Sequence, residues 1–139
     1  YYTNIIAEKN KLNITVNVSI KEKGILKSLN KNNTTILAKI IGILYDNAIE
    51  AAKESRKKRL LLEIYELKDR VNIVISNTFK KNSIVENRFE KGVSSKGKNH
   101  GNGLYYLNKI LKENKWIEEK QEIIDNYYIE TVTIKKRNF

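Results

Sequence analysis

Cysteine, proline and methionine are absent from this 139-residue chain, and histidine and tryptophan occur once each. Without cysteine there is neither a disulfide frame nor a thiolate zinc site, and one histidine cannot build a His-rich metal site. That composition suits a reducing cytoplasm. No proline-rich or low-complexity stretch and no internal repeat divides the chain, so it reads as one domain. At this length a domain buries roughly two-thirds of the surface of its unfolded chain and needs no staples to fold. No apolar run approaches the ~20 residues of a membrane span. The chain begins with Tyr1 rather than Met, and the expectation is a piece of a larger protein.

What the chain has in excess is positive charge, +11 formally. Such a balance draws polyanions. Here, however, the lysines run through most segments, with local clusters at Arg56 to Arg59, Lys80–Lys81 and Lys96–Lys98, and Ile, Lys, Asn and Tyr are favoured throughout. The pattern is a bias of the whole sequence, and no specific nucleic-acid partner is expected from it.

Residues 1–10 read as the end of an upstream helix or a linker. From Asn13 to Ile20, Ile14, Val16, Val18 and Ile20 alternate with Thr15, Asn17 and Ser19, the period of a half-buried strand. Asn33, Thr34 and Thr35 offer caps to a helix over about 36–55, with Ile36, Ile40, Ile43, Leu44, Ala48 and Ala51 at spacings of three and four. Two strand-like runs, 59–67 and 70–78, flank Lys68–Asp69, short enough for a hairpin. From Phe79 to Asn102 periodicity is lost, and a loop of that length in a compact domain is usually functional or mobile. A second helix is predicted over 103–114, and two further strands flank a turn at Asp125–Asn126. The expected fold class is α+β: a mixed sheet of about five strands layered by two or three helices.

Three features carry chemistry. In "SSKGKNHGNGL", Ser94 to Leu104, Gly97, Gly101 and Gly103 stand among Lys96, Lys98 and His100 just ahead of an apolar helical run. Glycine lets a backbone approach a ligand closely, and a helix N-terminus offers unpaired N–H groups, so the stretch suits an anion such as phosphate. A flexible surface loop is the plainer reading. In "GILYDNAIEAA", Asp46, Asn47 and Glu50 interrupt an apolar helix, and Asn47 shares a face with Ile43 and Ala51. An amide there costs desolvation unless it is hydrogen-bonded or bound, and its oxygen can serve Mg²⁺ as a hard ligand; a satisfied structural Asn is the alternative. Asn77, where the strand "VNIVISNT" meets the irregular segment, can donate and accept as an adenine edge requires, or can simply end a strand.

In that order "ILYDNAIEAA", "ISNT" and "GVSSKGKNHGNGL" resemble the N box, the modified G1 region and the G2 lid of the GHKL ATP-binding domain, in the form carried by AgrC-type quorum-sensing histidine kinases. The resemblance covers about 11–139. It implies a Bergerat-type α/β sandwich with ATP and Mg²⁺ held between the N-box helix and the lid. Carried over, it makes Asn47 the Mg²⁺–phosphate ligand and sets Asn77 where many relatives have the aspartate that reads adenine. Ser95, Lys96, Gly97, His100, Gly101, Asn102 and Gly103 would surround the phosphates, Lys96 sharing the catalytic role of Asn47, and Leu104 would anchor the lid. The implied protein is the catalytic domain of a membrane-anchored sensor kinase. It would lie in the cytoplasm and act with an upstream histidine-bearing dimerisation domain and a response regulator. Its membrane link would run only through an N-terminal part outside this sequence, and alone it would be a monomer.

Two departures bear on activity. Four residues before Asn47, where GHKL ATPases place a glutamate general base, stands Ile43, and an aliphatic side chain cannot activate water. That argues against an efficient hydrolase and is compatible with a kinase, which aligns the γ-phosphate for an outside acceptor. The aspartate-and-glycine G1 signature is also missing. A non-catalytic, nucleotide-dependent docking module of the same family therefore stays open, as does, more remotely, a basic nucleic-acid-binding domain.

Overall fold

The structure is a computed structural model that describes the backbone of residues 2–7, 12–80 and 98–136, and the side chains of 12–80 and 103–136. In chain order its elements are β1 (Tyr2–Ala7), β2 (Leu12–Ser19), α1 (Ile25–Ser28), α2 (Lys31–Glu54), β3 (Arg59–Glu66), β4 (Arg70–Thr78), α3 (Lys98–Glu113), β5 (Ile117–Ile124) and β6 (Tyr127–Lys135). The six strands form one sheet in the order β1-β2-β3-β4-β6-β5. Only β2 and β3 are parallel; the other neighbours are antiparallel. A parallel pair needs a crossover, and α1 and α2 supply it.

The predicted mixed sheet layered by helices is what the chain builds, with one strand more than expected. Residues 1–10 were expected to end a helix or form a linker; instead Tyr2–Ala7 is a strand, paired with β2 from Tyr2↔Asn17 to Ala7↔Leu12. Its short sequence carries no clear alternation, and the neighbouring strand decides its state.

Alternation places the core. On β4, Val71, Ile73, Ile75 and Asn77 are all buried, and the register aligns the first three with Ile134, Val132 and Glu130 of β6. Leu12, Ile14 and Leu60 continue that face, and Ile25, Leu37, Ile40, Leu44, Ala48, Ala52, Leu104 and Leu107 cover it from the helices. Burying an aliphatic side chain of this size contributes roughly 1.5–3 kcal/mol, so this two-layer seam is the main support of the fold.

Helix α2 starts five residues earlier than the cap pattern predicts. Asn30 is the N-cap, its Oδ1 accepting from the Asn33 N–H at 2.7 Å, while the Thr34 and Thr35 hydroxyls donate back to the carbonyls of Asn30 and Lys31. Those threonines sit inside the first turns rather than ahead of them. At the other end the Ser55 hydroxyl lies 2.6 Å from that of Thr78, which also accepts from the Arg59 N–H at 2.9 Å. Helix α1 begins on a carboxylate: Glu66 Oε2 accepts from the Ile25 N–H at 2.8 Å. The β5–β6 turn uses Asp125 in the left-handed region, φ 55, which Asp tolerates better than most residues.

Candidate functional site

The described parts of the three motifs lie at the end of β4, along α2 and in the first turns of α3. Asn77 is the fourth residue of β4 to point toward the helices, after Val71, Ile73 and Ile75, and it is 3% exposed. An amide ending an aliphatic row must be satisfied, and its Nδ2 donates to the Thr78 carbonyl at 3.0 Å. Tyr128 of β6 lies directly opposite in the register. One step further on the same face, Glu130 is 4% exposed and accepts from the Tyr128 hydroxyl at 3.1 Å. The floor of this end therefore carries an amide, a phenol and a carboxylate where a plain core would be aliphatic. Neither Tyr128 nor Glu130 was expected here from the sequence. The available signal was Glu130 itself, a charge in the inward series Tyr128, Glu130, Val132, Ile134.

Asn47 lies on the flank of α2, half-buried, between the buried Leu44–Ala48 stripe and the exposed Asp46. Its Nδ2 donates to the Ile43 carbonyl at 2.9 Å. Only the N–H₂ side of an amide can meet a carbonyl in this way, so the bond sets the orientation of the group and leaves Oδ1 as its acceptor end. Such an oxygen has the hardness Mg²⁺ requires. On the same helix, burial first and the adjacent Asp46 carboxylate second push the Tyr45 phenol above its ordinary pKa. Among the described residues no three carboxylate, histidine or cysteine side chains gather into a metal cluster.

Helix α3 begins at Lys98, not at Gly103 as the glycine pattern predicts. His100, Gly101, Asn102 and Gly103 thus lie in its first turns, and the glycine-rich stretch forms the helix end rather than merely preceding it. Leu104 is buried as expected, at 7% exposure. A Cβ placed on Gly103 would stand 3.8 Å from Ile43 Cγ2, so α3 packs one turn from Asn47. Ser95, Lys96 and Gly97 lie outside the described residues. The structure accordingly brings together Asn47, Gly103 and Leu104 through the α2–α3 contact, above the face that carries Asn77.

The GHKL domain model matches residues 32–135. By sequence, no curated protein matches. Among solved structures, the Acinetobacter baumannii histidine kinase AdeS superposes with TM-score 0.63 at 13% identity, over 94% of this chain and 57% of that one. A nucleotide-free catalytic domain of histidine kinase ThkA gives 0.59 at 18% identity, over 91% of this chain and 72% of its own. Full-length ShkA in complex with AMPPNP gives 0.65 at 16% identity, over 92% of this chain and 26% of its own. The chain thus spans little more than half of the AdeS chain and about a quarter of ShkA. At these identities the likeness concerns the fold. No helix among the described residues is long and apolar enough to cross a membrane.

Proposed function

The chain belongs to the GHKL domain family, and from that premise we propose that it is the ATP-binding catalytic domain of a sensor histidine kinase of the AgrC-type quorum-sensing kind. The observation that carries the reading is the packing of Gly103 against Ile43, one turn from Asn47, above a sheet face where Asn77 is buried. A backbone free of a side chain then lies one helical turn from an amide, in the helix layer over a sheet face that carries a buried polar end, groups that a nucleotide triphosphate calls for.

In this reading Asn47 holds Mg²⁺ and through it the phosphates, and Asn77 meets the adenine edge, with the Tyr128–Glu130 pair beside it. Ser95, Lys96, Gly97, His100, Gly101, Asn102 and Gly103 surround the phosphates, and Leu104 fixes their segment to the core. When bound, Mg²⁺ neutralises charge on the phosphate oxygens. The protein's contribution is to align the γ-phosphoryl with a histidine carried by a dimerisation domain of the same longer protein and to keep water from competing for it. A response regulator would take the phosphoryl group later. The domain would work in the cytoplasm, tethered to the membrane by a segment outside this sequence, and would be monomeric alone.

Ile43 also supports a second reading, a GHKL domain that binds nucleotide and docks without transferring phosphate, because its side chain meets Gly103 and supplies no base. One experiment separates the two. The chain is titrated calorimetrically with ATP and ADP, with and without Mg²⁺, and then incubated with γ-labelled ATP and a separately produced histidine-bearing dimerisation domain. We expect one-to-one binding that Asn47→Ala weakens by about tenfold or more, followed by labelling of the histidine domain. Binding without labelling selects the docking module. A folded chain that binds no ATP at millimolar concentration would sink both.

A further inference from the structure

The face of the sheet opposite the core carries no helix among the described residues, and its side chains form a furrow. The register lines up Leu61, Ser76 and Ile129 across β3, β4 and β6, with Arg59 and Tyr127 next to the outer two. The row runs large, small, large, so Ser76 of β4 becomes the floor and its neighbours the walls. The result is an open cavity of about 450 Å³, within the range of ligand sites, with the 52%-exposed Ile124 at its β5 side. Ser76 shows how deep it is: on an uncovered face it is only 7% exposed, because the walls shade it.

The furrow is electrically one-sided. Arg59 opens onto its β3 wall, and Arg56 and Lys57 are exposed just before it in the chain. Among the described residues no carboxylate pairs with any of the three, and their side chains make no hydrogen bond. Asp125 lines the opposite side, so an anionic partner group is favoured near β3 and repelled near the β5–β6 turn. Three such cations beside an apolar slot specify their complement: a projecting apolar side chain flanked by carboxylates.

We propose that this furrow is a docking site for an acidic peptide segment of a partner protein. One or two apolar side chains of the segment sit between Leu61 and Ile129, and its carboxylates lie on Arg59, Arg56 and Lys57. A bilayer is engaged by apolar groups that project, whereas this surface is concave. Single-stranded nucleic acid is bound by stacking on aromatic rings in series, and among the described residues Tyr127 is the one aromatic lining the furrow. Thr78 follows Ser76 along the same strand face and Asn77, between them, points to the other, so the proposed docking site and the proposed nucleotide site back onto the same end of β4.

The test is selection of short random peptides displayed on phage against the folded chain, followed by fluorescence anisotropy on an enriched, synthesised peptide. The expected result is enrichment of sequences that combine Asp or Glu with Leu, Ile or Phe. Binding should fall about tenfold or more in Arg59→Glu and in Ser76→Phe, and should weaken with salt. Arg59 is exposed, so Arg59→Glu keeps the fold, and Ser76→Val provides a smaller filling of the floor if Ser76→Phe does not fold. Enrichment without an acidic and apolar character, or binding indifferent to Arg59→Glu and to the Ser76 variants, overturns the proposal. So does tighter, Arg59-dependent binding of phosphatidylserine vesicles or of a DNA oligonucleotide, either of which would assign the surface to another class of partner.

Discussion

Two glycines show how one residue type can do opposite work. Gly24 leaves room for the Glu66 carboxylate: a Cβ there would run into Oε2, the oxygen that holds the Ile25 N–H. Gly24→Ala must displace that buried carboxylate and break its bond, and we expect a loss of about 1–3 kcal/mol in urea unfolding. Gly103 has only ordinary contact waiting for it, at 3.8 Å. Within a helix Gly103→Ala should therefore raise stability by about 0.5–1 kcal/mol, yet weaken ATP binding if the bare backbone serves the phosphates. Stability and binding moving in opposite directions would distinguish a ligand-facing glycine from a structural one. Glu63 is a third case. Burial raises its pKa, so the folded chain holds this proton more tightly than the unfolded chain. Stability then falls as pH rises from the ordinary carboxylate value through the raised one, and the penalty is constant above it. Glu63→Gln should remove that part of the pH dependence, leaving the variant relatively more stable at neutral pH than in acid.

At the scale of elements, α2 is fastened at both ends and open to water along one side of its middle. Gly42 is exposed there, with nothing within 4 Å of the point where a methyl group would stand, so Gly42→Ala should stabilise by about 1 kcal/mol. At the C-terminal end the Ser55–Thr78 contact ties the helix bearing Asn47 to the strand bearing Asn77. Thr78→Val keeps the shape but strands the Arg59 N–H, and we expect about 1–3 kcal/mol lost in thermal or urea unfolding. Elements were also where the sequence was most and least readable. The alternation in β2, the strand-like runs of β3, β4 and β6 and the apolar spacing of α2 were legible because burial imposes a pattern on the residues that face it. Strand β1 was not, since its short sequence carries no clear alternation and its pairing with β2 decides its state. The early start of α3 was hidden because local glycine content argues for a loop, and packing against Ile43 and the core prevails. Of the candidate site, Asn47 and Asn77 were legible as an interruption and an ending of periodic runs, Gly103 as part of a glycine-rich stretch and Leu104 as the first apolar residue of the helix after it. Tyr128 and Glu130 were obscured by an alternation that held good around them.

Across the whole molecule, order is concentrated in the middle of the sheet. Val71, Ile73, Ile75, Val132 and Ile134 are each at most 1% exposed, and β4 and β6 are paired on both sides, whereas β1 and β5 are edges. Native-state hydrogen exchange should show the slowest amides in β4 and β6 and faster exchange in β1. The same register gives the molecule two poles. Ala7, Leu12, Arg59, Asn77 and Tyr127 share one, while Tyr2, Ser19, Glu66 and Lys135 share the other. Both ends of the described chain thus leave from the pole remote from Asn77 and the furrow. A domain hung on a surface by either terminus would turn the end that carries Asn77 and the furrow outward, like a hammer held by the tip of its handle.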